Sequence, residues 1–149
     1  LGPAIVWQPG TITAGQELNS LCQQFDIGQT LLAMAEIHIP ASFESESVME
    51  GLLGKSQSGR EYVFAEQGGD GNLTDAQMVT MIRSAKWKMI HYAGEKFGQL
   101  FDLEKDPLEA KNLWDNSSYA SEKRSLQEAL LDWYIQSQYR TRDWISDYR

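Results

Sequence analysis

Four short segments rich in aromatic and β-branched residues follow one another in the middle of the chain. Each has the two-residue alternation of a strand, and they are predicted over Tyr62–Glu66, Gln77–Arg83, Lys86–Tyr92 and Gln99–Asp102. Parallel neighbours would need a crossover of about a dozen residues, whereas only Ser84 and Ala85 separate the second segment from the third. The sequence therefore predicts a four-stranded antiparallel meander.

Helical periodicity flanks the strands on both sides. Asp26 and Gln29 have the spacing of a capping box and begin a predicted helix over Asp26–Glu36. Its apolar positions form one stripe, made of Ile27, Leu31, Met34 and Ala35. A longer helix is predicted from about Ser118 to Gln138, with one face made of Leu126, Leu130, Trp133, Tyr134 and Ser137.

The third strand indicates how the sheet and the long helix combine. Trp87, Met89 and His91 share one face, which we expect to bury against a helix, while the opposite face is partly wet. The predicted fold class is α+β, a four-stranded antiparallel sheet with a long C-terminal helix packed on one face.

The beginning of the chain is apolar. A short strand is predicted over Ala4–Trp7, closed by the turn residues Pro9 and Gly10. Natural termini are usually polar, so we expect a chain that is apolar from Leu1 to be part of something longer. Residues 41–60 are predicted to be a long connection with one short helical turn.

Composition excludes several classes of protein. The 149 residues include 21 acidic and 13 basic side chains, and a net charge of −8 argues against nucleic acid as a partner. No apolar run approaches the roughly 18 residues of a membrane span. The single cysteine, Cys22, excludes an internal disulfide framework and a multi-cysteine zinc site.

Motifs for catalysis are not found. A hydrolytic triad would need His38 or His91 beside an activated nucleophile, and the pattern Gly-x-Ser-x-Gly does not occur. The glycine-rich loop Gln67–Asp75 fails the spacing of a calcium loop, although a loop at a strand end can overhang a binding site. We therefore predict no cofactor and no metal in this chain.

The hairpin of the second and third strands carries several cations in an otherwise acidic protein. Arg83, Lys86 and Lys88 are the strand neighbours of His91. Two interpretations stay open: charges on a wet sheet face paired with local acids, or contacts to an anionic ligand.

The order of segments resembles the C-terminal part of sulfatases. The run Gln99-Leu100-Phe101-Asp102-Leu103-Glu104-Lys105-Asp106-Pro107-Leu108-Glu109-Ala110-Lys111-Asn112-Leu113 is similar to the family's Glu-Leu-Tyr-Asp-Leu-x-x-Asp-Pro-x-Glu-x-x-Asn-Leu. The run Phe25-Asp26-Ile27-Gly28-Gln29-Thr30-Leu31-Leu32 looks like the family's Asp-Ile-x-Pro-Thr-Leu-Leu helix. The resemblance covers about residues 3–135. The chain departs from the family at Gln29, Glu36 and Glu50, where Pro, a helix-ending Gly and Pro are usual.

The resemblance implies that residues 1–149 are the small C-terminal subdomain of a sulfatase, without its catalytic N-terminal α/β domain. The family's formylglycine arises in a Cys/Ser-x-Pro-x-Arg motif, which Cys22-Gln23-Gln24 does not match. We therefore expect no catalytic residue here, and the formylglycine and calcium of the parent would lie outside this chain. The subdomain would pack on the catalytic domain and help to wall the cleft for a sulfated small molecule or glycan. The candidate wall residues are Gln67, Asp70, Arg83, Lys86 and His91.

Two alternatives remain open. The chain could come from a phosphodiesterase or phosphonate hydrolase of the same superfamily, or it could be a free-standing binding module without catalysis. An isolated subdomain would expose an apolar patch and an open strand edge, so we expect a homodimer or a swapped assembly. The resemblance is compatible with a periplasmic or secreted parent and does not determine the compartment.

Overall fold

The computed structural model describes residues 4–40, 42–56, 59–68 and 78–146, with side chains to residue 140. The chain divides into two compact units. Unit 1 comprises residues 1–60 and unit 2 comprises residues 61–149. The two units differ in how they are held together, and each is described by itself.

Two helices lie in unit 1. Helix α1 spans Asp26–Met34, and the short helix α2 spans Met49–Leu52, so both predicted helical segments are confirmed. The predicted strand over Ala4–Trp7 is wrong, because these residues belong to no strand. An apolar run becomes a strand only where a second strand offers a hydrogen-bonding ladder, and no described strand pairs with this one.

The ends of α1 differ from the predicted capping box. The N-cap residue is Phe25, and no side chain caps the helix there. Gln29 instead accepts a hydrogen bond from the Ser45 hydroxyl at 2.7 Å. Beyond the last turn, Glu36 has a φ of 55°, the left-handed conformation that favours glycine after a helix. This is the position where the resembling family commonly has glycine.

Unit 2 contains the predicted meander. Its strands are β1 (Val63–Gly68), β2 (Met78–Arg83), β3 (Trp87–Tyr92) and β4 (Gly98–Asp102). They pair in the order β1-β2-β3-β4, and every neighbouring pair is antiparallel. The α+β class and the sheet topology are therefore confirmed.

The long helix α3 spans Ala120–Ser146 and follows a 3₁₀ turn over Ser117–Tyr119. It begins where predicted but continues beyond the expected end at Gln138. The core of the unit joins one face of the sheet to α3, and its buried members are Ile82, Met89, Leu100, Leu113, Trp114, Leu126 and Leu130. The expected packing of a helix on one face of the sheet is confirmed.

The segment after β4 covers the outer edge of the sheet. Asn112 accepts hydrogen bonds through Oδ1 from the backbone N–H groups of Leu100 and Trp114, both at 3.0 Å, and donates to the Gly98 carbonyl at 2.9 Å. The Leu113 N–H donates to the Leu100 carbonyl at 2.8 Å. These bonds satisfy groups that an open edge strand would expose. Asn112, the asparagine of the sulfatase-like run, is therefore a structural residue.

Candidate functional site

A buried ion pair connects distant parts of unit 1. Arg60 donates to the carboxylate of Asp26 through Nε at 2.9 Å and through Nη2 at 2.6 Å. The side chains are only 9% and 1% exposed, respectively. Arg60 also donates to the Glu44 carbonyl at 2.9 Å and lies 3.3 Å from the Glu46 carboxylate. A bidentate, buried pair of this kind fixes the geometry of the chain around it.

Asp26 receives further bonds from the backbone. The N–H groups of Gln23 and Glu46 donate to its carboxylate at 2.7 and 2.8 Å. Burial raises the pKa of this carboxyl, but the bonds from Arg60 and the two backbone groups lower it, and the net pKa lies below the usual value. Asp26 is therefore ionised and holds three separate stretches of unit 1 together. The prediction of Asp26 as the helix N-cap is wrong, because its carboxylate binds Arg60, which lies 34 residues along the chain.

Helix α1 therefore buries polar side chains and not apolar ones. The buried residues of the helix are Asp26 and Thr30, and the Thr30 hydroxyl accepts a hydrogen bond from the Val48 N–H at 3.0 Å. Most of the apolar stripe predicted from the sequence is exposed instead: Ile27 is 43% and Leu31 is 57% accessible, whereas Met34 is half-buried. A helix exposes such a stripe at a cost unless another surface covers it.

Arg83, one of the predicted wall residues, lies at the end of β2. It stands opposite Val63 of β1 and Lys88 of β3, on the face of the sheet that does not carry the core. Its side chain is half-buried, and its Nε atom is buried without a hydrogen-bond acceptor among the described residues. An arginine in this state has donors available for a ligand.

Lys86 lies in the turn between β2 and β3. Its Nζ atom is 2.9 Å from the Glu104 carboxylate and 5.7 Å from the centre of the Trp87 ring. The contact with Glu104 raises the pKa of the lysine. This arrangement agrees with the interpretation of hairpin charges paired with local acids.

His91 lies on the α3 side of the sheet, opposite Thr80 and Gly98. Its ring centre is 6.3 Å from that of Trp114, and a Cβ on Gly98 would approach Trp114 to 2.5 Å. The expectation that His91 shares the helix-facing side with Met89 is confirmed. The Nδ1 atom of His91 is buried without a partner among the described residues.

Gln67, the first candidate of the glycine-rich loop, lies opposite the other end of β2. Gln67 is exposed near the end of β1 and lies on the same face of the sheet as Arg83. Its cross-strand partner is Val79, which is four positions from Arg83 on β2. Four residues of strand span about 13 Å. Asp70 and the rest of the loop to Asp75 lie outside the described residues. Of the predicted wall residues, Gln67 and Arg83 thus share a face, whereas His91 is on the opposite one.

The described residues do not fit the metal site of a sulfatase. No group of three His, Cys, Asp or Glu side chains is placed to hold a metal ion in the described part of the chain. Cys22 is exposed and unpaired. None of the helices in the described ranges has the length and apolar character needed to cross a membrane. No step of chemistry is assigned to a metal or a formylglycine in this chain.

Comparison with known proteins identifies the class. Residues 2–136 match the family described as "N-sulphoglucosamine sulphohydrolase, C-terminal". The chain belongs to this family, and it is therefore a C-terminal subdomain of the sulfatase type.

Two curated relatives and one solved structure illustrate the similarity. The chain is 32% identical to the Delta 4,5-hexuronate-2-O-sulfatase of Bacteroides thetaiotaomicron over 140 residues, which is 89% of this chain and 28% of the relative. It is 29% identical to an arylsulfatase of Clostridium perfringens over 133 residues, 87% of this chain and 26% of the relative. The phosphonate monoester hydrolase of Agrobacterium radiobacter superposes with a TM-score of 0.62 at 26% identity, over 75% of this chain and 24% of the other. The chain thus spans about a quarter of the length of these relatives.

Proposed function

We propose that this chain is the C-terminal part of a sulfatase that hydrolyses sulfate esters, and that it packs on the catalytic α/β domain of the same protein. Support for the reaction comes from the curated relatives, both of which are named sulfatases. The formylglycine and calcium of the reaction would belong to the catalytic domain. The chain alone would be inactive, because Cys22 stands outside the formylglycine motif.

The single observation that carries the packing proposal is the exposure of several large apolar side chains in unit 1. Ile27 and Leu31 of α1 are accessible, and Ile5 and Trp7 are 93% and 82% exposed. Apolar exposure of this extent is characteristic of an interaction surface. Since the sulfatase relatives are about four times longer than the matched region, the catalytic domain is the partner that this surface fits.

In unit 2, the wall of the substrate cleft would be the sheet face that does not carry the α3 core. Gln67 and Arg83 lie on this face. Asp70 and Lys86 remain candidates of the same wall, although Lys86 is paired with Glu104. His91 lies on the opposite, α3-facing side of the sheet beside Trp114 and is not part of this face. The substrate would be a sulfated small molecule or glycan.

Expression of the complete gene product tests the reaction. We expect it to hydrolyse an aryl sulfate and to leave a phosphonate monoester largely intact, while the 149-residue chain hydrolyses neither. A preference for the phosphonate ester would overturn the sulfatase proposal. That second function is favoured by the likeness to the phosphonate monoester hydrolase.

Alanine substitutions in the complete protein test the wall. Each candidate is replaced in turn, with the exposed Lys111→Ala as the control. We expect kcat/KM to fall for a sulfated sugar more than for a small aryl sulfate, since a wall contacts the remote part of a substrate. Values equal to those of Lys111→Ala for all candidates and both substrates would overturn this part of the proposal.

A further inference from the structure

Arg83 differs from every comparable cation of the described chain. Among the described residues, five lysines and arginines are half-buried: Arg60, Arg83, Lys86, Lys88 and Lys123. Four of them have an acceptor within 3 Å. The pairs are Arg60 with Asp26, Lys86 with Glu104, Lys88 with Glu109, and Lys123 with the Trp114 carbonyl. Arg83 has none, and its Nε atom is buried.

The surroundings of Arg83 make its lack of a hydrogen-bond acceptor energetically unfavourable. Val63, directly across from it on β1, is 9% exposed, so the cross-strand neighbour of Arg83 is a buried apolar residue. Its other neighbour is Lys88, a like charge, and like charges directly opposite in a sheet repel each other. Glu109 compensates only Lys88, which it contacts at 2.5 Å. Among the described residues, Arg83 therefore has no ion-pair partner, and it stands beside a second cation.

An arginine is suited to bind an anion at such a place. The guanidinium stays protonated at all physiological pH values, and its planar fork matches the oxygen atoms of a carboxylate or a sulfate. A buried charged donor without an acceptor is destabilising, so an acceptor brought from outside the chain would be bound with a net gain.

We propose that Arg83 is a binding residue for an oxyanion that the described part of this chain does not supply. The oxyanion is a sulfate or carboxylate group of the substrate, or a carboxylate side chain of the catalytic domain. The observation that Arg83 lacks an acceptor does not depend on the proposed function. The identity of the two possible sources does depend on the proposed function.

The complete gene product is compared as wild type, Arg83→Met and Arg83→Lys, with Arg124→Met as the control. Arg124 is an exposed arginine on α3, so the control removes the same charge from the open surface. Both KM for a sulfated sugar and the melting temperature are measured. A charge-assisted hydrogen bond lost from a binding site changes an equilibrium by about tenfold or more.

The two sources give different results. If the oxyanion belongs to the substrate, Arg83→Met raises KM about tenfold and does not lower the melting temperature of the substrate-free protein. If it belongs to the catalytic domain, the melting temperature falls by roughly 2–4 °C or more and KM changes little. Arg83→Lys, which keeps the charge but loses the fork, gives a smaller change in the same quantity.

The proposal is overturned if Arg83→Met changes neither quantity more than Arg124→Met does. If Arg83→Met does not fold, wild-type values for Arg83→Lys in both measurements overturn it equally. A wild-type protein without activity on sulfate esters would contradict the proposed function. In that case a melting temperature of Arg83→Met below that of Arg124→Met would still support binding of a carboxylate of the same protein, and its absence would overturn the proposal.

Discussion

The two units of this chain bury opposite kinds of side chain. Unit 2 has an apolar core, in which Ile82, Met89 and Leu100 have no exposed surface. Unit 1 buries polar side chains, Asp26 and Thr30, and exposes Ile27 among its apolar residues. Burial of apolar surface stabilises a fold directly, whereas a buried ion pair offsets its own desolvation at best.

The difference indicates what each unit needs. The sheet and α3 supply each other with apolar surface, so unit 2 is expected to be stable by itself. Unit 1 is held in shape by the bonds of Asp26 and Arg60, and several of its apolar side chains are exposed. The comparison predicts that equal substitutions will have unequal effects in the two units.

The largest effect is expected from breaking the buried ion pair. Arg60→Met leaves the Asp26 carboxylate buried without its charged partner, which costs about 3–5 kcal/mol. Hydrogen exchange measured by mass spectrometry is expected to show loss of protection in α1 and no change in the strands of unit 2. The control is Lys55→Met, which removes an exposed pair with Glu50 at 3.8 Å and changes stability by less than about 1 kcal/mol. An equal effect of the two substitutions would contradict the role of the pair.

The second effect compares one substitution at two positions. Ile82→Ala creates a cavity in the core of unit 2 and is expected to cost about 2–5 kcal/mol. Ile27→Ala removes the same atoms from an accessible position of α1 and is expected to cost less than about 1 kcal/mol in the 149-residue chain. Urea denaturation of both variants measures the difference. Similar losses would mean that Ile27 lies in a core after all.

The third effect uses two glycines. A Cβ at Gly98 would meet the Trp114 ring at 2.5 Å, so Gly98→Ala is expected to cost about 1–3 kcal/mol. A Cβ at Gly28 in α1 has nothing within 4 Å, so Gly28→Ala should stabilise the helix by about 0.5–1 kcal/mol. Thermal melting of the two variants checks the signs. A destabilising Gly28→Ala would contradict the open surface assigned to α1.

The smallest effect is the pH dependence that Asp26 gives to unit 1. The pKa of Asp26 is lowered in the folded chain, so the stability it contributes is present above the ordinary pKa of about 4. That contribution is lost as the pH falls through the lowered folded pKa. Exchange protection of α1 should therefore decline in acid in the wild type, and Asp26→Asn should flatten this decline. An unchanged acid profile in Asp26→Asn would assign the dependence to other carboxylates.

Most of the fold can be predicted from patterns among residues that are close in the sequence. The alternation in β2 and β3 and the two-residue gap between their predicted bounds determined the meander, because these constraints act between neighbouring residues. The spacing of Leu126 and Leu130 likewise predicted the face of α3 that packs on the sheet.

The errors arose where distant residues decide the outcome. Asp26 has the sequence context of a helix cap, but its partner Arg60 is far along the chain, and no local pattern reveals that pair. The apolar stripe of α1 was found, yet periodicity cannot tell whether a stripe faces a core or an outside partner. For the candidate wall, sequence spacing could not show that Arg83 and His91 lie on opposite faces.

The central claim is that unit 1 needs a partner for its apolar side while unit 2 has its own core. Hydrogen exchange of the 149-residue chain and of the complete gene product, compared peptide by peptide, tests it most directly. The account predicts that α1 peptides exchange rapidly in the chain alone and become protected in the complete protein, whereas β2, β3 and β4 are equally protected in both. Equal protection of α1 in the two proteins would contradict the account.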